Sequence, residues 1–422
     1  MYRKTITVNG IKVISEEIDH VRSVSIGVWV HCGSRDELPP IRGAAHFIEH
    51  MLFKGTRKRS AYDIAAAIDS VGGIFNAGTG KETTSFYVKI PDYHLPLAID
   101  VLADILTDSL FDPEEMAREK SVILQEIRMV EDTPDDCIHD FFGDLFWNGH
   151  PLGWPVLGTE KSVSTIQKET LIDFFRVHYG SNQLVLTAAG NLKHDELVRL
   201  VEQAFGAMPV SVSTNGPALP VVASRWGVLE KDLEQVHIII GSLGHSYSSP
   251  ARYAGFLMNA VLGGSASSRL FQEIREKRGL AYAIHSYLIS YRDTGMFEIY
   301  IGTGHDMVGE VLDVVGAELD RLKAELLTPK ELVAAKEQVK GNFLLSMEST
   351  DHRMTRLAKN EIYLGRHITP EETVSNIETV SADEVLETAR AIFNSDILSI
   401  AAIGKVSDQD IRQAVLRDKQ HI

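Results

Sequence analysis

Apolar and polar positions alternate along Ser23-Val24-Ser25-Ile26-Gly27-Val28-Trp29-Val30, a period close to two that predicts a half-buried strand. Further along the period lengthens, and Ile64 to Val71 and Leu97 to Leu110 read as amphipathic helices. Asp112-Pro113-Glu114-Glu115 has the form of an N-cap, a first-turn proline and two acids, opening a helix that runs towards Met129. Helices and strands mix without a strict βαβ rhythm. The pattern predicts an α+β fold, with helices packed on mixed, largely antiparallel sheet.

The second half of the chain repeats this layout. Thr165 to Gly190 can be laid on Thr379 to Gly404, each giving a helix, a turn and an apolar strand, at an offset of 214 residues between the two terminal glycines. Phe111-Asp112-Pro113-Glu114-Glu115 matches Leu327-Thr328-Pro329-Lys330-Glu331 at nearly the same offset. Between Pro209 and Pro220 the residues Ser, Thr, Asn, Gly and Pro cluster, as in a linker. Two similar domains are therefore expected, at 1–210 and 221–422, joined by a linker at about 211–220. The length of 422 residues alone would suggest about three.

With 42 Lys and Arg against 58 Asp and Glu, the formal net charge is −16. That argues against nucleic acid and anionic membrane as partners and permits basic ligands. Cys32 and Cys137 lie far apart and form no CxxC pair, so two free thiols in a reducing compartment are expected. The first residues turn polar before an apolar signal segment can form, and no stretch is long and apolar enough to span a bilayer. A cytoplasmic location is the expectation.

Chemistry concentrates in Gly43-Ala44-Ala45-His46-Phe47-Ile48-Glu49-His50-Met51-Leu52-Phe53-Lys54-Gly55. On a helix, His46 and His50 share a face and aim two imidazoles at one point, with Glu49 beside them. Ala45, Phe47, Ile48, Met51 and Leu52 would bury that helix, and unpartnered imidazoles and a carboxylate would be costly there. A divalent cation offsets much of the cost, and zinc suits two nitrogens and one oxygen with a fourth position open to water. A carboxylate next to such water can serve as general base. Glu119 and Glu126, two helical turns apart on the helix after Pro113, are both candidates for the third ligand or for a carboxylate that orients a ligand.

The inverted order His46-Phe47-Ile48-Glu49-His50 resembles that of the pitrilysin-type zinc peptidases, or inverzincins. The resemblance continues through Gly72-Gly73-Ile74-Phe75-Asn76-Ala77-Gly78-Thr79, His150-Pro151-Leu152-Gly153, Leu157-Gly158-Thr159 and His178-Tyr179. In the second half it takes in Ser267-Ser268-Arg269-Leu270-Phe271 and Arg275-Glu276-Lys277-Arg278-Gly279-Leu280-Ala281-Tyr282. It is strongest to bacterial relatives of the mitochondrial processing peptidase β-subunit. The resemblance implies one zinc per chain on His46, His50 and Glu126, with Glu49 as general base to zinc-bound water and Glu119 as the supporting acid. It also implies an edge strand at Asn76 and Ala77 that pairs with substrate backbone.

The matching helix of the second half reads Tyr253-Ala254-Gly255-Phe256-Leu257-Met258-Asn259-Ala260-Val261 and repeats no such motif. Arg275 and Tyr282 fall on an Arg–Tyr pair that family members present to bound peptide; by residue type alone Arg275 reads as one solvated charge in a charged run. Two domains where other members have four imply a clamshell homodimer acting on unfolded peptides as an endopeptidase or oligopeptidase. Two rival readings are a noncatalytic structural or assembly subunit on the same fold and a metal hydrolase of non-peptide substrates. The acids Glu131, Asp132, Asp135, Asp136, Asp140 and Asp144 read either as a solvated run or as an attractor of basic peptides.

Overall fold

A computed structural model describes residues 1–212, 216 and 218–411. It divides into two compact units, one of residues 1–129, 154–218 and 345–367 and the other of 130–153, 219–344 and 368–422. The expected linker lies partly outside the described residues. A single cut there does not reproduce the units, because 130–153 and 345–367 each belong with the other half of the sequence.

The first unit is built on a six-stranded sheet. Its strands are β1 (Tyr2–Ile6), β2 (Lys12–Glu17), β3 (Ser23–Val30), β4 (Ile74–Thr79), β5 (Thr84–Pro91) and β6 (Leu184–Gly190), in the order β1-β2-β6-β3-β5-β4. Only β2 and β6 pair in parallel. The second unit has β7 (Trp226–Glu230), β8 (Val236–Leu243), β9 (Ala281–Ser290), β10 (Gly295–Thr303) and β11 (Ser399–Gly404), in the order β7-β11-β8-β10-β9, with only β7 and β11 parallel. Leaving β1 aside, strand order and direction are the same in both units, as a duplication requires. The central strands β6 and β11 are buried throughout and end in Gly190 and Gly404, at φ +141° and +139°. Backbone oxygens of Ser23 and Gln235 would stand 2.2 and 2.8 Å from a Cβ at these two glycines.

The helices that matter for the site are α1 (Ala44–Leu52), α2 (Ala61–Asp69), α3 (Leu95–Thr107), α4 (Pro113–Asp132) and α5 (Pro134–Trp147). Asp112 caps α4 as the sequence suggests, its Oδ1 accepting from the Glu114 N–H at 2.8 Å. Thr328 does the same for the helix Pro329–Ser346, its hydroxyl accepting from the Glu331 N–H at 3.2 Å. After α4 the chain crosses into the second unit. There Ile138, Phe142, Phe146 and Trp147 of α5 pack with Ile239, Tyr300, Ala401 and Ile403 on one face of the sheet. The helix Thr350–Leu364 returns the exchange, placing Met354, Leu357 and Ala358 with Ile14, Trp29 and Val185 on the first sheet.

This exchange corrects one expectation. β3 is not half-buried: Val24, Ile26, Val28 and Val30 enter the main core, and Ser25, Gly27 and Trp29 are covered by the returning helix. The alternation survives as two differently packed faces, one entering the main core and the other covered by the returning helix, so neither meets water. The same crowding operates in the second unit, where a Cβ on Gly241 would lie 2.3 Å from the Phe142 ring.

Candidate metal centre

Helix α1 follows the crossing from β3 and is set in place at its N-terminus. Gly43 sits at φ +89°, and a Cβ there would meet the Leu157 carbonyl oxygen at 2.6 Å. Gly158, from the Leu157-Gly158-Thr159 motif, answers it: its own Cβ would lie 2.4 Å from the Arg42 oxygen. Two backbones therefore cross where only glycines fit. The buried carboxyl of Glu37 takes the orphan donors of the first turn, Oε2 from the Gly43 N–H and Oε1 from the Ala45 N–H, each at 2.8 Å. Burial pushes this carboxyl up to about 8, against the pull of those two N–H groups and of Lys81.

One turn along α1, His46 Nε2 and His50 Nε2 stand 3.2 Å apart. Glu126 Oε2, from α4, lies 3.9 Å from the first and 3.6 Å from the second. Ligands about 2.0–2.2 Å from a tetrahedral ion are separated by roughly 3.3–3.5 Å, so these three atoms have the spacing of one face of such a site. Glu126 Oε2 is buried and has no hydrogen-bond partner among the described residues. Burial, with His50 nearby, drives the His46 imidazole down to about 3, so it is uncharged at neutral pH with its lone pair free to bind. Among the described residues no other group of three His, Cys, Asp or Glu side chains converges in this way. The donor set suits a cation of the zinc type.

Glu119 is almost fully buried two turns before Glu126. Its Oε2 lies 2.9 Å from His50 Nδ1, and its Oε1 accepts from Lys54 Nζ at 2.7 Å. That contact orients the imidazole and directs the other nitrogen of His50 to the cluster. Glu49 is held by the hydroxyl of Thr79, which donates to its Oε2 at 2.5 Å. Burial raises the Glu49 carboxyl above the ordinary value, Thr79 and His50 pull it back, and Glu126 pushes it up again.

Asn76 and Ala77 lie midway along β4, which among the described residues pairs only with β5, at the edge of the sheet. Asn76 Oδ1 accepts from the Ala77 N–H at 2.8 Å. Phe75, Ala77 and Thr79 turn inward towards α1 and the core, while Asn76 and Gly78 are exposed. In the second unit the helix Arg252–Leu262 follows β8 as α1 follows β3, and it carries no imidazole. Arg275 lies in a π-helical turn, Phe271–Glu276, and Tyr282 near the start of β9. The structure brings the two together: the guanidinium carbon is 4.8 Å from the Tyr282 ring and 4.8 Å from that of Phe271. Tyr282 is 76% exposed, well beyond what a core tyrosine shows.

Glu37, Lys54, Thr79 and Phe271 are contributors that the sequence reading passes over. Glu37 comes from a segment without periodic pattern and reaches α1 from outside that helix. Lys54, Thr79 and Phe271 sit within motifs already singled out, beside residues whose chemistry is more obvious.

Residues 12–160 match the family described as insulinase (peptidase family M16), and residues 165–339 match the family described as the peptidase M16 inactive domain. A Streptomyces coelicolor protein named as a zinc protease is 40% identical over 418 residues, 96% of this chain and 90% of its own length. A Bacillus subtilis protein of the same description is 41% identical over 388 residues, 92% of this chain and 95% of its own. A crystal structure of a protease from Helicobacter pylori superposes with a TM-score of 0.88 at 19% identity, over 96% of this chain and 99% of the other. A Pseudomonas fluorescens structure described as a peptidase M16 inactive domain gives 0.90 at 22%, over 96% and 98%. The inverted motif on α1, the half without a second one and these matches agree, and the chain belongs to peptidase family M16.

Proposed function

We propose that this chain is a zinc metallopeptidase that hydrolyses unfolded peptides as an endopeptidase or oligopeptidase. The observation that carries the reading is the convergence of His46 Nε2, His50 Nε2 and Glu126 Oε2, with Glu49 adjacent on the same helix. His46, His50 and Glu126 would hold the ion, and Glu119 would keep His50 in the binding tautomer. Zinc, when bound, supplies a Lewis acid that polarises the scissile carbonyl and makes water more acidic. Glu49, raised by burial, takes a proton from the attacking water and returns it to the amine as the C–N bond breaks. The open edge of β4 at Asn76 and Ala77 receives the peptide as an added strand, which holds any sequence by its backbone.

Arg275 and Tyr282 supply a fixed fork of donors and a phenolic donor suited to the oxyanion that develops at the carbonyl. The working form is a clamshell homodimer, in which each metal centre acts with the Arg–Tyr pair of the partner. Support comes from the division of features within the chain, one unit with a cluster of candidate metal ligands and the other with an exposed Arg–Tyr stack.

The test is Glu49→Gln. It should retain zinc at wild-type stoichiometry while peptide cleavage falls by about 10²–10⁴-fold. Cleavage at the wild-type rate by the zinc-loaded variant would refute the mechanism.

A further inference from the structure

The contact between Thr79 and Glu49 joins two parts of the site that are remote in sequence. Thr79 is the last residue of β4 and lies two positions beyond Ala77 on the same inward face. Its hydroxyl donates to Glu49 Oε2 at 2.5 Å, within the short range of bonds from a hydroxyl to an ionised carboxylate. A glutamate side chain has three rotatable torsions, and holding it in one arrangement costs rotamer freedom. Here the edge strand does the holding, with one carboxylate oxygen tied and Glu49 partly buried on α1.

We propose that Thr79 is a positioning residue for the general base, fixing the Glu49 carboxylate relative to the peptide that adds to β4. The proposal rests on Glu49 being that base. The strand that receives substrate backbone and the group that moves the proton are then one rigid piece. A misplacement of about 1 Å at such a group costs on the order of 10²-fold in rate. Thr79 acts through Glu49 and touches no reacting atom itself.

The experiment compares wild type, Thr79→Val, Thr79→Ser, Glu49→Gln and the double variant Glu49→Gln/Thr79→Val, each loaded with zinc and assayed on an unfolded peptide. Valine matches threonine in shape and removes only the donor, whereas serine keeps it. Thr79→Val should lose about 10–100-fold in kcat with KM within about twofold and full zinc content. Thr79→Ser should keep at least about half of wild-type kcat, and the double variant should be no slower than Glu49→Gln, because a residue acting through Glu49 adds nothing once the base is gone. A wild-type kcat for Thr79→Val, equal losses in the serine and valine variants, or loss of zinc with kcat would each overturn the proposal. A wild type that cleaves no peptide, or a Glu49→Gln variant as active as wild type, would instead sink the peptidase reading, and the positioning role would fall with it.

Discussion

His46, Glu49 and His50 could be placed from spacing alone because one helix carries them, and i to i+4 geometry is local. Glu119 and Glu126 could be narrowed to one helical face but not ranked, since the histidines they meet lie 69 residues or more away. Glu37 had no local signal, and Thr79, though inside a quoted motif, gave no sign of its contact with Glu49. Each depends on where a turn and a strand end are brought by the sheet, which no periodicity encodes. The residue that tests the orienting layer is Glu119, bonded to His50 Nδ1 and neutralised by Lys54. Glu119→Gln should weaken zinc binding by about 10–100-fold with the fold intact, measured by competition with a chromophoric chelator. Unchanged affinity would reduce Glu119 to a buried ion pair with Lys54.

At the scale of elements, strands, caps and the duplication were readable because hydrophobic periodicity and first-turn chemistry are local. The exchange of α5 and the helix Thr350–Leu364 was not. An amphipathic pattern says that a helix buries one face, without saying against which sheet. The exchange explains why Ile138, Phe142 and Phe146 are fully buried although the expected domain boundary lies far downstream. Phe142→Ala should therefore destabilise the second unit by about 3–5 kcal/mol in chemical denaturation. A change below about 1 kcal/mol would show that α5 is not integral to that unit.

The same helix leaves an electrostatic mark. Burial, with Asp135 and Asp136 of α5 adding to it, pushes the Tyr300 phenol up to about 12. The folded chain keeps a proton that the unfolded chain releases near 10, so this stabilisation is whole below 10 and is lost as pH rises towards 12. Alkaline titration followed by tyrosinate absorbance should show a phenol that ionises late in the wild type and earlier in Asp135→Asn/Asp136→Asn. Identical titration curves would remove α5 from the neighbourhood of Tyr300. Asp135 and Asp136 occupy the first turn of α5, where acids favour the helix dipole, and this supports the solvated reading of the acidic run.

For the whole molecule, composition excluded partners more readily than it named them. A charge of −16 spoke against nucleic acid, whereas peptide as the proposed substrate came from the family resemblance carried by α1 and the motifs beyond it. The proposed homodimer has its own test in complementation. Glu49→Gln removes the proposed base but keeps Arg275, and Arg275→Ala does the reverse. If the Arg–Tyr pair works on the partner's metal centre, mixing the two inactive chains under exchange should restore about a quarter of wild-type activity, from one working site in each mixed dimer. No recovery from a mixture shown to form mixed dimers would place both functions within one chain.

The central claim is that His46, His50 and Glu126 hold zinc where Glu49 can drive peptide hydrolysis. The most direct measurement is digestion of a mixed library of unfolded peptides by zinc-loaded wild type and Glu49→Gln, with metal content determined on the same samples and products identified by mass. The account predicts one zinc per chain in both proteins, and cleavage products from the wild type alone. Equal cleavage by both, or a chain that cleaves fully without metal, would contradict it.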